Sequence, residues 1–252
     1  MQLTVTALEG IPEVFPGDDL ATLIATLSET QRIRITSNDV VVIAHKVVSK
    51  AEGRIRHLSQ VEPQARALKL ADELKKDPRH VQVVLDESRE VLRASHGALI
   101  TVTHHGFVCA NAGVDASNVP GDDAVVLLPE NPDKSARSIR AGVKPLLNAA
   151  PAILITDSFG RPWRNGQVDI AIGCAGLSPL EDWRGRTDKD GRELRATWIA
   201  VADELAAAAD LARTKDGALP VILIRGAGRH ITPDDGPGAA AISRPESQDL
   251  FR

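Results

Sequence analysis

Residues 98–128 read ALITVTHHGFVCANAGVDASNVPGDDAVVLL, and this stretch decides between two kinds of α/β fold. Its apolar ends, 98–102 and 125–128, have the branched composition of strands, and Gly106, Gly113 and the Pro120–Gly121 pair punctuate the middle. The stretch predicts several short strands joined by turns, with no long helix. Working outward, buried-strand runs recur at 40–43, 153–156 and 221–224, each bounded by charge, glycine or proline. Helical patterns lie between them. Ile139, Val143, Leu146 and Leu147 share one helical face, and an alanine-rich stretch spans about 197–212. Together these predict an α/β chain with a mixed sheet and flanking helices, not a doubly wound parallel sheet. The length of 252 residues suits one large domain or two small ones. The polar stretch 182–195, DWRGRTDKDGRELR, is expected to be a mobile loop, and the proline- and glycine-rich segment 232–252 a surface tail.

Composition narrows the function classes. With 43% hydrophobic and 25% charged residues, the chain has the profile of an ordinary soluble protein. A net charge of -4 supplies no overall basic field for nucleic acid or anionic membrane, so any anionic ligand must be met locally. No tyrosine is present and aromatics total 3%, which leaves few platforms for stacking bases. The N-terminus lacks a basic region followed by an apolar run, and no run of apolar residues is long enough to span a bilayer. Cys109 and Cys174 have neither disulfide nor zinc spacing. A cytoplasmic protein is expected, with no nucleic-acid or membrane partner.

Four segments carry chemistry. In residues 155–176, ITDSFGRPWRNGQVDIAIGCAG, a strand is expected to end in a polar cluster. Asp157 and Ser158 offer hard oxygen ligands of the kind magnesium or manganese prefers, while Arg161 and Arg164 could fork onto phosphate or carboxylate. An aspartate capping a turn beside solvated arginines is the plainer alternative. In residues 112–123, AGVDASNVPGDD, Asp115, Ser117 and Asn118 form a second oxygen-rich loop, read equally well as a ligand set or a side-chain turn. Two such loops could share metal ions bridging a nucleotide's phosphates. In residues 39–55, a strand is followed by His45, Lys46, Lys50 and Arg54, a basic patch suited to phosphate or simply to water. Residues 219–230, LPVILIRGAGRH, run a strand into glycines. A dinucleotide fingerprint would need a third glycine and a following helix, so a tight turn explains them better. No P-loop occurs. Adjacent His104 and His105 would face opposite ways on a strand and could not easily chelate one metal. Cys174, in an apolar run, reads as a buried thiol without a catalytic role.

Taken together, these segments resemble the coenzyme F420-0:L-glutamate ligase family, through GIPEVFPGDDL, VVSKAEGRI, AGVDASNVP, TDSFGRPWRNGQVDIAIGCAGL, VADELAAAADL and PVILIRG. The resemblance covers about 10–226, and TDSFGRPWRNGQ is its most specific part. It implies transfer of the GTP γ-phosphate to the phospholactate carboxylate of coenzyme F420-0. The L-glutamate amine would then attack the acyl phosphate. It also implies two divalent ions, Mg2+ or Mn2+, admits K+ beside them, and implies a homodimer of intertwined α/β subdomains.

By similarity, Asp115 and Asp157 bind metal and act in catalysis with Arg161. Ser158 supplies a hydroxyl ligand where relatives often carry threonine. Ile11, Pro12, Glu13, Val14, His45, Lys46, Lys50, Asn118, Thr214 and Lys215 match GTP-contacting positions. Lys215 departs from the pattern, because many relatives have a metal-ligating glutamine nearby and a protonated lysine cannot ligate. It reads equally as a helix-terminal lysine countering the dipole. The chain stops at Arg252, whereas mycobacterial relatives continue into a flavin domain, so the stand-alone form is expected. Rival readings are another nucleotide-dependent carboxylate-amine ligase on this fold, and a noncatalytic nucleotide or deazaflavin binding protein.

Overall fold

The computed structural model describes residues 2–117, 123–214 and 217–249. Strand β1 (Thr4–Leu8) leads to helix α1 (Leu20–Thr30), whose N-cap Asp19 accepts from the Ala21 amide and the Thr22 hydroxyl. Strand β2 (Asp39–Ala44) runs straight into the short helix α2 (His45–Ala51), followed by β3 (Ile55–His57). Next come α3 (Ala65–Leu74) and α4 (Pro78–Asp86), the latter capped by Asp77 with proline in its first turn. Strands β4 (Ser88–Ser95), β5 (Ala98–Thr103), β6 (Val108–Ala110) and β7 (Ala124–Val126) follow without a long helix, as residues 98–128 predicted. Helix α5 (Pro132–Leu147) begins at an Asn131 cap. The chain then forms β8 (Ala152–Arg161), β9 (Arg164–Ala175), the two-residue strands β10 (Glu181–Asp182) and β11 (Trp198–Ile199), helix α6 (Val201–Ala212) and β12 (Val221–Arg225).

The main sheet has the order β1-β12-β2-β8-β9, and only the β2–β8 pair is parallel. It is therefore mixed, and it is buried on both faces. In β2 the side-chain alternation divides one apolar run between two cores. Val41 and Ile43 pack with α1 and α5, while Val40 and Val42 pack with α6. That explains why β2 reads as a continuous apolar run instead of an alternating one. A third core joins α3 and α4 to β5, β7 and the segment around Val114. Beside it lie the sheets β4-β5-β6 and β3-β7.

Several expectations need correction. The strand expected to end near Thr156 continues to Arg161, pairing with β9 past the cover of the core. Its backbone ladder does not depend on apolar side chains, so the polar cluster sits within a hairpin and not after a strand. On α5 the buried face runs through Ala136, Ile139, Arg140 and Val143, leaving Leu146 about half exposed. The stretch 182–195 is not an open loop. The Gly185 amide donates to the Leu194 carbonyl, the Leu194 amide donates to the Arg186 carbonyl, and Asp188 accepts from the Arg192 amide. The tail is held along the surface. Buried Arg140 donates to the carbonyls of Thr232 and Asp234 and to the Asp235 carboxylate, and Asp133 accepts from the amides of Ala239 and Ala240. Among the described residues no helix is long and apolar enough to cross a membrane.

Candidate functional site

The parallel pair β2–β8 ends at one point. Ala44 is in register with Thr156, so the residues that follow, His45 at the start of α2 and Asp157 on β8, lie side by side. The carboxyl ends of parallel strands are where α/β sheets place ligands. His45 opens α2 and is nearly fully buried, and its Nε2 lies 3.3 Å from Asp157 Oδ1. Nε2 makes no aligned hydrogen bond, so this contact is one of proximity. The other ring nitrogen, Nδ1, is 3.3 Å from the Ser49 hydroxyl one turn along the helix.

A second carboxylate approaches from the other side. Asn111, Ala112 and Gly113 all adopt left-handed backbone. The Gly113 position is confined as well, since an added Cβ would meet Leu128 Cγ at 2.7 Å. This turn delivers Asp115 onto a bridge with Val126 of β7. Lys46 Nζ lies 2.6 Å from Asp115 Oδ2 and donates to the Ser117 hydroxyl at 2.5 Å, while the Ser117 amide donates to Asp115 Oδ1 at 2.6 Å. Burial raises the Asp115 pKa, but the Lys46 ammonium and the Ser117 amide outweigh it and hold the carboxyl below its usual range. Consecutive residues His45 and Lys46 thus address the two carboxylates, one each.

Asp115, Asp157 and Ser158 line one cavity of about 240 Å³, together with Cys109, Phe159 and Gln167. Its floor joins the main sheet to the third core. Burial, with the Asp157 carboxylate adding to it, pushes the Cys109 thiol up to about 12, so it stays protonated at neutral pH. Cys174 is pushed to about 12 by burial and Asp133, and it lies in the core as expected.

Lys50 is not solvated surface. It is 6% exposed and donates to Glu13 Oε1 at 2.5 Å. Of the other N-terminal positions, Val14 is buried in the core and Ile11 packs against it, while Pro12 is exposed. Arg213 and Pro220 reach the same strand ends, because the Pro220 carbonyl accepts from the Ala44 amide and the Arg213 guanidinium donates to Asp169. Thr214 is exposed beside it. Arg161 is at the far end of the β8–β9 hairpin, donating to the Asn165 carbonyl, and does not line the cavity. Asn118 and Lys215 lie outside the described residues. His104 and His105 sit in the turn after β5 and bond to separate backbone carbonyls, His104 to Asp86 and His105 to Pro129 and Glu130.

Sequence reasoning gave no role to Asp169, which accepts from Ser158 across the hairpin, or to Glu13 as the partner of Lys50. The signal for Asp169 was its place in β9 opposite β8, hidden by the register shift between Gly160 and Arg161.

The donor chemistry fits a small hard cation. Among the described residues no three His, Cys, Asp or Glu side chains converge as a protein-only cage. Two carboxylates and a hydroxyl are nonetheless the oxygen set with which magnesium is held when phosphates complete its shell. Beside Asp115 the Lys46 ammonium supplies the positive charge.

Residues 10–226 match the family model described as F420-0:gamma-glutamyl ligase. The chain is 42% identical to the coenzyme F420:L-glutamate ligase of Methanothermobacter thermautotrophicus over the whole of both chains. It is 43% identical to the proteins of that name from Haloarcula marismortui, over 99% of this chain and 96% of the relative, and from Methanopyrus kandleri, over 99% of each. With a family model spanning most of its length and full-length relatives at this identity, the chain belongs to the F420-0:gamma-glutamyl ligase family.

Proposed function

We propose that this chain is a ligase of coenzyme F420 biosynthesis that joins the amine of L-glutamate to the phospholactate carboxylate of coenzyme F420-0, driven by GTP. The observation that carries the reading is the convergence of Asp115 and Asp157 on one cavity, each met by one of the consecutive residues His45 and Lys46. A carboxylate does not react with an amine until one of its oxygens becomes a good leaving group. Transfer of the γ-phosphoryl group to that oxygen makes an acyl phosphate and releases GDP. The glutamate nitrogen then attacks the carbonyl carbon, and phosphate departs with the oxygen it received.

The difficulty of the first step is the approach of an anion to a triphosphate. Lys46, and Lys50 once it turns from Glu13, are the cations this chain offers to phosphate oxygens, with the backbone of Ile11 to Val14 and the Thr214 loop as flanking contacts. Asp115, Asp157 and the Ser158 hydroxyl would hold divalent magnesium or manganese. Such an ion would supply charge neutralisation for the nucleotide's phosphates. Arg161, at the hairpin tip, is assigned to the anionic substrate in a homodimer, where a second copy would lie beside the exposed tip. Asn118 and Lys215 keep their assignment to the nucleotide, and K+ its place as an accessory cation.

The test is mass spectrometry of purified protein with coenzyme F420-0, L-glutamate, GTP and Mn2+, beside ATP and metal-free controls. Addition of one or more glutamyl units that needs both GTP and metal supports the reading. Folded protein that binds GTP without adding glutamate would overturn it in favour of a different acid or amine.

A further inference from the structure

One wall of the cavity is built from the 109–115 segment and the other from the β8–β9 hairpin. Asp115 and Asp157 bring acceptors to it, and the Ser158 hydroxyl is bonded to Asp169. Two side-chain amides remain as donors, those of Asn111 and Gln167. They are not equivalent. Gln167 is exposed, and no hydrogen bond holds its side chain among the described residues. Asn111 is fixed, because its Oδ1 accepts from Lys76 Nζ at 2.9 Å. An ammonium has protons to give and no lone pair to offer, so the end of the carboxamide that faces Lys76 is the oxygen. The donor end, Nδ2, is thereby turned away from Lys76, and it is neither buried nor bonded among the described residues.

Both residues stand on backbone with little freedom. Lys76 follows α3, where Lys75 is left-handed and the Lys76 amide closes back on the Ala71 carbonyl at 3.0 Å. The next residue, Asp77, caps α4. Asn111 opens the left-handed run that continues through Ala112 and Gly113, and its carbonyl accepts from the Val114 amide at 2.9 Å. Among the described residues Lys76 makes no ion pair, so Asn111 is the acceptor that its ammonium has.

A neutral, preset donor has a definite use in this cavity. The carboxylate that receives a phosphoryl group needs one oxygen left electron-rich for the attack. An amide can hold the other oxygen without neutralising the pair. When the glutamate nitrogen then bonds to the carbonyl carbon of the acyl phosphate, the π pair moves onto that held oxygen, which becomes an oxyanion. A donor already in place acts most strongly there. On collapse the pair returns, the carbon–oxygen bond to phosphate breaks, and the departing phosphate takes up the proton that the nitrogen sheds. Lys76 strengthens the donor as well as aiming it, since a cation on the carboxamide oxygen polarises the N–H groups.

We propose that Asn111 is a catalytic residue that donates from Nδ2 to the substrate carboxyl oxygen destined to become the oxyanion, and that Lys76 is its positioning residue. This inference rests on the reading of the cavity as the place where a carboxylate is activated.

The experiment measures steady-state kcat and KM for coenzyme F420-0, L-glutamate and GTP with Mn2+, and a thermal melt, on the full chain. Wild type is compared with Asn111→Gly, Lys76→Met, Lys76→Arg and the double variant of the first two. Glycine suits the left-handed backbone and deletes only the carboxamide. Asn111→Gly is expected to lower kcat about a hundredfold or more and to leave the KM for GTP unchanged, because the contact is strongest in the transition state. Lys76→Met should lower kcat about tenfold, and Lys76→Arg, which still donates, should restore most of that loss. In the Asn111→Gly background Lys76→Met should cost less than about twofold more, because the donor it aims is already gone. A wild-type kcat in Asn111→Gly, or a rise in KM with kcat unchanged, overturns the oxyanion role. A lower melting temperature in Lys76→Met with kcat unchanged, or a loss that adds in full to that of Asn111→Gly, overturns the positioning role. Should Asn111→Gly fail to fold, Asn111→Asp keeps the shape and the bond to Lys76 and presents an oxygen where the donor stood. Its kcat is expected to fall as far, and a wild-type kcat in that variant contradicts the proposal. Wild-type protein that forms no glutamyl amide overturns the ligase reading itself, an outcome distinct from wild-type turnover that Asn111→Gly leaves unchanged.

Discussion

His45 Nε2 stands 3.3 Å from Asp157 Oδ1 because the parallel register of β2 and β8 sets Ala44 beside Thr156 and the next residues beside each other. The backbone of the main sheet therefore fixes this pair, and neither residue depends on a loop for its place. Replacing Asp157 by asparagine keeps the shape and removes the charge. Turnover is expected to fall on the order of a hundredfold, with unfolding free energy changed by only about 1 kcal/mol. Steady-state rates and a denaturation curve on the same preparation check it, and near-normal turnover contradicts the assigned role.

Lys50 and Glu13 are unequal partners, since Lys50 is buried and Glu13 is half exposed. Glu13→Gln leaves a buried ammonium without its counter-charge, whereas Lys50→Met removes the charge that needed one. Glu13→Gln is thus expected to be the more destabilising, by about 1–3 kcal/mol in urea unfolding. Saturating GTP should recover part of that loss if phosphate takes the place of Glu13. Equal deficits with and without nucleotide count against Lys50 as a phosphate contact.

Asp115 gives a pH signature. Its folded pKa lies below the usual 3.8, so its contribution to stability is complete above that value and is lost as pH falls through the lower folded pKa. The stability difference between wild type and Asp115→Asn should stay constant from neutral pH down toward 5, then shrink below 3.8. Denaturant midpoints across that range check the sign. A difference that grows on acidification contradicts the pairing with Lys46.

Both cysteines are buried, and burial holds both thiols near 12. At pH 8 neither is expected to react with a disulfide reagent in the folded protein, and both should react on unfolding. Rapid native labelling of Cys109, which lines the cavity, would show that the cavity opens further than described.

The mixed sheet was legible because residues 98–128 have room for strands and turns but not for a helix, and because the run at 40–43 has the composition of a strand buried on both faces. Asp115, Asp157 and the basic patch after β2 were legible as chemistry, though not as neighbours. What joins Asp157 to the basic patch is the parallel register of strands more than a hundred residues apart, and what brings Asp115 is its bridge with Val126; no local pattern encodes either. Asp169 was hidden for a related reason. From the turn pair Arg161–Arg164, a regular hairpin would set Ser158 opposite Gln167, and only the irregularity between Gly160 and Arg161 brings Asp169 across from it. The pairing of Lys50 with Glu13 was not legible because Glu13 lies 37 positions away in the chain. The bonded turn at 182–195 was missed because its residues are nearly all polar and its pairing is a single bridge, Thr187 to Glu193, with no continuous strand.

The most direct test of the central claim, that this cavity activates a carboxylate by phosphoryl transfer, follows oxygen. Coenzyme F420-0 carrying 18O in its phospholactate carboxylate would be turned over with GTP, L-glutamate and Mn2+, and the released phosphate and nucleotide analysed by mass spectrometry. The account predicts one 18O in inorganic phosphate per glutamyl bond formed, none in the guanine nucleotide, and loss of the signal in Asp157→Asn. Product formation with the label absent from phosphate, or found in a guanosine monophosphate, would contradict it.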